Sequence, residues 1–224
     1  MVVRYLWQTE NRLKKTAGKE ETHMNRRNVT VIKLAQTALM AALCFVSFTF
    51  LQIKIPMPGG GATSLHIGNA FCVLAALILG GWYGGLAGAL GMGLADILDP
   101  VYITGAPKTF VLKLCIGLIV GLVAHRIAKI DESQDRKYVL RWSLIAAVAG
   151  LGFNVIADPL AGFFYNQYIL GQPQQMAEVL AKWGTAATFV NAVVSVVLTG
   201  ILYNALRPVL LRTGLICRSR IKTA

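Results

Sequence analysis

The 224-residue sequence predicts an all-α polytopic membrane protein, a six-transmembrane-helix bundle with both termini in the cytoplasm. Three observations carry that expectation. Six apolar stretches lie near residues 30–51, 65–80, 82–98, 109–127, 142–164 and 185–206. They approach the roughly 20 residues of helix that cross a hydrocarbon core of about 30 Å. The composition is 55% hydrophobic with a mean hydropathy of +0.58, leaving too little polar surface for a soluble domain of this size. Third, eighteen of the 22 Lys and Arg residues fall into three segments, Arg4 to Lys33, Arg126 to Arg141 and Arg207 to Lys222. The other four, Lys54, Lys108, Lys113 and Lys182, lie in or beside the alternate loops. By the positive-inside rule the three basic segments are cytoplasmic, and six spans return the chain to the side where it began.

The expected domain plan follows: residues 1–29 as a flexible basic cytoplasmic extension, 30–206 as the membrane domain and 207–224 as a basic tail. Residues 1–23 lack the apolar core of a signal peptide, and the run beginning at Met24 reads as a more natural start, which makes them a loose extension or a mis-assigned beginning. The net charge of +12 does not indicate nucleic acid, because none of the basic segments is long enough to form a folded module that reads it. Anionic lipid headgroups of the bilayer or an acidic partner surface account for that charge. Cys44, Cys72, Cys115 and Cys217 are widely spaced, without metal-ligand or disulfide-framework spacing, and read as packing residues. No cofactor is implied.

In the first span Ala35, Ala38, Ala41 and Ala42 are small, and Ala38 and Ala42 share one face a turn apart, where another helix can approach closely. That face serves either packing within the bundle or docking of another protein. The loop after it, with Pro56, Pro58 and Gly59 to Gly61, reads as irregular, adaptable and able to cover something. His66 and Asn69 open a short second span. From Gly80 the sequence is GGWYGGLAGALGMG, in which Gly80, Gly84 and Gly88 form one row and Gly81, Gly85 and Ala89 its neighbour, the mark of tight helix crossing. Gly80-Gly81 reads as a tight cytoplasmic turn with Trp82 and Tyr83 at the interface. No phosphate-binding G-x-x-x-x-G-K-[ST] loop is present, so uphill work needs an ion gradient or a partner.

Polar residues gather toward the outer ends of spans three to six. Asp96, Asp99, Tyr102, Lys108 and Thr109 fall between and at the ends of the third and fourth spans, with Lys113 a turn deeper. Charges at membrane depth are costly unless paired or facing water or a ligand, so they mark a site or a structural Asp96–Lys113 pair. Lys108 follows Pro107 at a helix start, where free N–H groups favour an anion or carbonyl-rich ligand. In the fifth span Asn154 and Asp158 lie at i and i+4, followed by Pro159, Tyr165 and Tyr168; Asn191 is an amide within the sixth, and Trp183 stands just ahead of it as an interfacial anchor or a stacking platform. The candidate substrate-binding set is therefore His66, Asn69, Asp96, Tyr102, Lys108, Lys113, Asn154, Asp158, Trp183 and Asn191, around a pocket with mostly apolar walls and few polar directors.

The stretch HIGNAFCVLAALILGGWYGGLAGALGMGLADILD, followed by APKTFVLKLCIGLIVGLVA, resembles the substrate-binding S component of energy-coupling factor (ECF) vitamin transporters, and the likeness covers most of residues 30–206. Its motifs are the Ala38/Ala42 row, the glycine-rich third helix from Gly84 to Asp96, and Pro107, Thr109 and Lys113 at the start of the fourth. Within that family it is most similar to the group assigned to riboflavin, pyridoxine and hydroxymethylpyrimidine, with no substrate-specific residue set matched. The resemblance implies a non-enzymatic protein of the cell membrane that captures a vitamin-like molecule from outside under a lid formed by the first outer loop. It further implies docking through Ala38 and Ala42 on a transmembrane coupling subunit, with power from two ATPase subunits. Two other readings of the residues are a stand-alone secondary transporter using Asp96, Lys113 and Asp158 as an ion relay, and an intramembrane enzyme with Asp96 and Asp158 as a carboxylate pair.

Overall fold

The computed structural model describes residues 30–57 and 62–213. Expectations for residues 1–29, for Pro58 to Gly61 at the loop tip, for Cys217 and for residues 214–224 of the tail lie outside the described residues. The chain falls into two compact units, Met1–Gln36 and Thr37–Ala224. In the first, residues 30–36 are helical, with Val31, Ile32 and Leu34 exposed. The remaining elements belong to the second.

Helix α1 is Thr30–Phe50. An antiparallel hairpin follows, β1 Gln52–Pro56 and β2 Ala62–His66, in the register Gln52↔His66 and Lys54↔Ser64. Next come α2 Gly68–Leu79, α3 Gly81–Leu98, a 3₁₀ turn Ile103–Gly105, α4 Ala106–Gly121, α5 Arg136–Phe164 and α6 Gln174–Arg212. Helices α4 and α5 each run on into a π turn, Leu122–Ile127 and Tyr165–Ile169. Among the described residues, four helical segments are long and apolar enough to cross a membrane: Thr30–Phe50, Ile103–Ile127, Arg136–Ile169 and Gln174–Arg212. Their outward sides carry large exposed apolar residues, among them Val148, Ile156, Val197 and Ile201. Such extended apolar surface has to face lipid rather than water. The chain is a membrane protein, mostly helical.

The hairpin corrects the expectation of an irregular first loop. Prolines and glycines dominate that segment's composition, yet the β-branched Ile53, Ile55 and Thr63 alternate with polar neighbours on both arms. That two-residue period suits paired strands. On β2 it turns Ser64 and His66 inward, both nearly buried.

The helix ends also differ from the apolar windows. Helix α5 starts at Arg136, six residues before its apolar run, because Asp135 caps it by accepting from the Lys137 N–H at 2.9 Å. Helix α6 starts at Gln174 after Pro173 and carries a polar first turn, so Trp183 lies within it rather than ahead of it. Hydropathy marks the part of a helix suited to lipid, whereas caps and propensity mark where the helix begins.

Helix α2 is short. Its 12 residues rise about 18 Å, well under a bilayer core of about 30 Å, which leaves depth at its first end for the hairpin and a cavity. The glycine rows hold α2 to its neighbours. Gly84 and Gly88 on α3 face Ala76 and Cys72 of α2, while Gly81 and Gly85 face Gly117, Gly121 and Leu114 of α4. A Cβ on Gly85 would stand 2.7 Å from the Leu114 carbonyl oxygen, and one on Gly117 would run into the backbone of Gly85. Gly91 lies against Ala41 and Cys44 of α1 in the same way. Gly80 has φ +91°, so the α2–α3 turn needs a residue without a side chain there. Around these crossings the core fills with Leu74, Leu77, Met92, Ile116, Val120 and Leu151.

Gly117→Val is expected to prevent accumulation of folded protein, since neither backbone can yield without separating α3 from α4. Gly152→Ala, whose added methyl meets nothing within 4 Å, is expected to be neutral or to stabilise by up to about 1 kcal/mol. Thermal unfolding and size exclusion in detergent distinguish the two, and a Gly117→Val protein as stable as the parent would refute the close-crossing argument.

Candidate functional site

Above the first turn of α2, the hairpin, the α3–α4 connection and the facing parts of α5 and α6 enclose a cavity of about 790 Å³, including its open mouth. His66, Asn69, Asp96, Tyr102, Lys108, Lys113, Asn154, Asp158 and Asn191 all line it. Trp183 does not; it stays 44% exposed on the outside of α6. Helical spacing explains the difference. Thr188, Asn191, Ser195 and Thr199 follow one another at intervals of three and four residues, so they form one buried stripe, and Trp183 is off that stripe by roughly a quarter turn or more. The stripe is a signal of spacing, not hydropathy, and Thr188 on it is a cavity residue that a reading of apolar runs misses. Phe48, Thr63, Ser64 and Thr104 join from α1, β2 and the 3₁₀ turn.

The lining also corrects the expected apolar walls. Phe48, Ala62, Val101 and Gly105 are the apolar or side-chain-free lining positions, and every other lining residue is polar or charged. A polar wall at membrane depth has to be satisfied from within the protein or by what occupies the cavity.

Several of these groups are already satisfied. The Lys108 ammonium donates to Asp158 Oδ1 at 2.7 Å, and the Thr188 hydroxyl donates to Asp158 Oδ2 at 2.8 Å. Asn191 is used on both sides: its Oδ1 accepts from the His66 N–H at 3.0 Å and its Nδ2 donates to the Ser64 carbonyl at 2.8 Å. It therefore acts as a side-chain continuation of the hairpin ladder, tying β2 to α6. His66 Nδ1 accepts from the Gly68 N–H at 3.2 Å, so the ring proton is on Nε2. Phe48 packs edge-on against the His66 ring, with ring centroids 4.7 Å apart.

Others keep capacity. The Lys113 ammonium donates to Asn69 Oδ1 at 2.8 Å, and among the described residues no carboxylate lies within ion-pair distance of it. Of the two readings of these charges, the structural Asp96–Lys113 pair is not formed; Lys113 takes an amide partner instead, because Asn69 at the start of α2 lies across from it. Asp96 is 3% exposed and likewise without a cation at that distance among the described residues. Asn154 Oδ1 is buried with no protein donor among the described residues. A buried cation, a buried carboxyl and an unanswered carbonyl thus line one cavity.

The hairpin has a second attachment. Lys54 on β1 pairs with Asp99 at the end of α3, Asp99 Oδ1 accepts from the Val101 N–H at 3.1 Å, and the ammonium stands 5.4 Å from the Tyr102 ring centroid. Lys54 holds the Asp99 carboxyl below the usual carboxylate range, and Asp99 raises the Lys54 ammonium in return.

Residues 28–208 match the family of ECF-type riboflavin transporter S components. This chain belongs to that family. The S component shares the fold of ThiT from Listeria monocytogenes, with a TM-score of 0.57 at 19% identity, over 82% of this chain and 97% of that one. A UPF0397 protein of Exiguobacterium sp. is 28% identical over 142 residues, 62% of this chain and 73% of the relative. An uncharacterized protein of Pyrococcus woesei, in a gap 3′ region, is 36% identical over 130 residues, 55% of this chain and 82% of the relative. The protein is the substrate-binding component of an ECF-type transporter.

The Lys54–Asp99 attachment gives the hairpin a pH window. A lowered Asp99 contributes stability above its ordinary value of about 4 that is lost as pH falls through the depressed value; a raised Lys54 contributes below about 10.4 and loses it as pH rises further. Hydrogen-exchange protection factors of the β1 amides are expected to be flat between those limits and to fall outside them. In Asp99→Asn the acid limb should vanish, and an unchanged acid limb would show that another group holds β1.

Proposed function

We propose that this S component crosses the membrane six times with both termini cytoplasmic, its short α2 and glycine-rich α3 making the second and third crossings. The basic N-terminal segment, α4–α5 connector and tail then share the cytoplasmic side, and the cavity opens outward beneath the hairpin. Residues 30–206 form the membrane domain, flanked by a basic extension and a basic tail. The cavity captures a vitamin-like heterocycle of the riboflavin, pyridoxine or hydroxymethylpyrimidine kind. The hairpin, held along β2 by Asn191 and at β1 by Lys54, is its lid.

The observation that carries this reading is the coincidence around one polar cavity of Lys113 and Asp96, neither with an ion-pair partner among the described residues, and of Asn154 Oδ1, with no donor among them. Lys113 and the His66 Nε2–H offer donors, and Asp96 and Asn154 Oδ1 offer acceptors. A net-neutral ring system with both kinds of edge satisfies them together, whereas a simple ion satisfies one side and worsens the other. Lys108 and Asp158 supply a further, internally paired wall. Tyr102 and Phe48, edge-on to each other with ring centroids 5.9 Å apart, supply aromatic contacts for a ring. Asp158 has both oxygens engaged by Lys108 and Thr188, which disfavours it as a free partner of Asp96 in carboxylate catalysis or as an open relay for ions.

Energy comes from elsewhere in this reading. Ala38 and Ala42 lie exposed on α1 beside exposed Leu39, Leu43 and Val46, a shallow apolar strip at which a transmembrane coupling subunit docks, itself driven by two ATPase subunits.

Purification followed by absorbance and mass spectra of whatever co-elutes is expected to identify a heterocyclic ligand. Lys113→Met is expected to weaken its binding roughly ten- to hundredfold, the equivalent of about 1.5–3 kcal/mol for a hydrogen bond to a charged group. Accumulation of substrate by this chain reconstituted alone would overturn the division of labour. Replacing Ala38 and Ala42 together by Leu is expected to abolish uptake in cells holding the whole transporter and to leave ligand binding by the purified chain unchanged; retained uptake would remove the docking assignment.

A further inference from the structure

At the end of the α5–α6 pair remote from the cavity, a groove is lined by Val139, Leu140, Tyr203, Pro208 and Leu211, with Arg136 and Arg207 at its rim. Arg136 is 18 residues before Asn154 on α5, and Arg207 is 16 after Asn191 on α6. At about 1.5 Å per residue these separations are about 27 and 24 Å, close to the thickness of a hydrocarbon core. A groove that far along both helices is level with the opposite membrane surface from the cavity, whichever way the chain is inserted.

Its charge is one-sided. The first turns of α5 carry Arg136, Lys137 and Arg141, and the last turns of α6 carry Arg207 and Arg212, with no Asp or Glu in Arg136–Trp142 or Tyr203–Arg212. The acidic groups nearby are on the preceding connector, and two have partners: Asp131 faces His125 Nδ1 at 2.6 Å, and Asp135 caps α5. Arg136 donates through Nε to Asn204 Oδ1 at 3.0 Å, and one terminal nitrogen of Arg207 donates to the Ile130 and Ser133 carbonyls, each at 3.1 Å. These neutral acceptors orient the two guanidinium groups without cancelling their charge. Among the described residues neither has a carboxylate within ion-pair distance.

We propose that this groove binds an anionic phospholipid, one acyl chain lying along Val139, Leu140 and Leu211 and the phosphate held between Arg136 and Arg207. A basic pocket between membrane helices is suited to a lipid phosphate, and guanidinium groups meet phosphate oxygens with two parallel N–H donors. The apolar floor continues the lipid-facing surface of α6 at exposed Ile201 and Val209, so a lipid enters sideways without leaving the bilayer. Charge complementarity singles out this occupant: the chain's own tail, with Arg218, Arg220 and Lys222, brings cations to cations.

Phosphatidylglycerol added to the detergent-purified full chain is expected to raise its unfolding temperature and to persist as a bound adduct in native mass spectrometry. Phosphatidylcholine of the same acyl chains, and inorganic phosphate, are expected to do neither. Arg136→Gln, an exposed position at a helix start, should weaken phosphatidylglycerol binding about fivefold, and the double variant with Arg207→Gln about 25-fold. Leu140→Trp tests the floor with both charges intact and should also displace the lipid. Equal binding of phosphatidylcholine, reproduction of the shift by phosphate alone, or full retention of phosphatidylglycerol in Arg136→Gln would each overturn the proposal. Because the cavity residues are untouched, vitamin binding by these variants reports separately on the transport reading.

Discussion

The site exists because α3 has no side chains on two of its faces. Gly84 and Gly88 admit α2, and Gly81 and Gly85 admit α4, so three backbones meet at distances that ordinary residues forbid. In a bilayer this closeness replaces hydrophobic drive, because lipid tails are as apolar as the residues they would displace. Gly88 is where packing becomes chemistry. A Cβ there would strike Cys72 Sγ and come within 3.6 Å of Lys113 Cβ. The missing side chain therefore lets Lys113 of α4 reach across to Asn69 of α2 at the cavity floor. A bulkier α3 would separate those helices and leave the ammonium without its only protein partner among the described residues.

That geometry explains what a linear sequence reveals and what it hides. Charges within apolar runs are legible because burying them costs several kcal/mol unless something answers them, so Asp96, Lys113 and Asp158 stand out from their apolar neighbours in the sequence alone. Their convergence follows from topology: antiparallel helices bring the late part of α5 and the early part of α6 to the same level as the starts of α2 and α4. Pairing is not legible. Asp96 and Lys113 attract attention as opposite charges, yet Lys113 finds Asn69, and Asp158 finds Lys108 and Thr188, because partners are set by which helix faces meet. The hairpin is hidden by its tip, where prolines and glycines obscure a two-residue alternation on either side. Trp183 misleads because an aromatic near the end of an apolar window resembles a pocket wall, while the helix continues through it and turns it outward.

Unequal satisfaction of the polar groups organises function at the cavity. Asn191 engages both its amide oxygen and its amide nitrogen with the β2 backbone and so ties the hairpin to α6. The Lys108–Asp158–Thr188 cluster is internally closed and gives the wall a fixed shape. Among the described residues Lys113 has an amide partner but no carboxylate at ion-pair distance, Asp96 has no cation there, and Asn154 Oδ1 has no donor, so part of their desolvation is a standing cost in the empty state. A molecule offering complementary edges removes that cost, and a preorganised polar cavity can bind well without a large contact area.

The two ends of the α5–α6 pair are built on opposite electrostatic plans. Around the cavity, two cations, Lys108 and Lys113, are balanced by two carboxylates, Asp96 and Asp158; at the other end the guanidinium groups of Arg136 and Arg207 are oriented by backbone carbonyls and one amide, with no carboxylate at ion-pair distance among the described residues. Balanced charge suits a site that must close over a neutral solute, because a net field would draw in ions and resist desolvation. Unbalanced charge suits a surface that must stay at the headgroup level, where anionic lipid supplies the missing sign. Any tilting of this subunit that brings the cavity toward the cytoplasm has to move those arginines relative to the headgroups. If the groove holds an anionic lipid as proposed, the strength of that hold enters the free energy of reorientation directly, alongside the affinity of the cavity for its ligand.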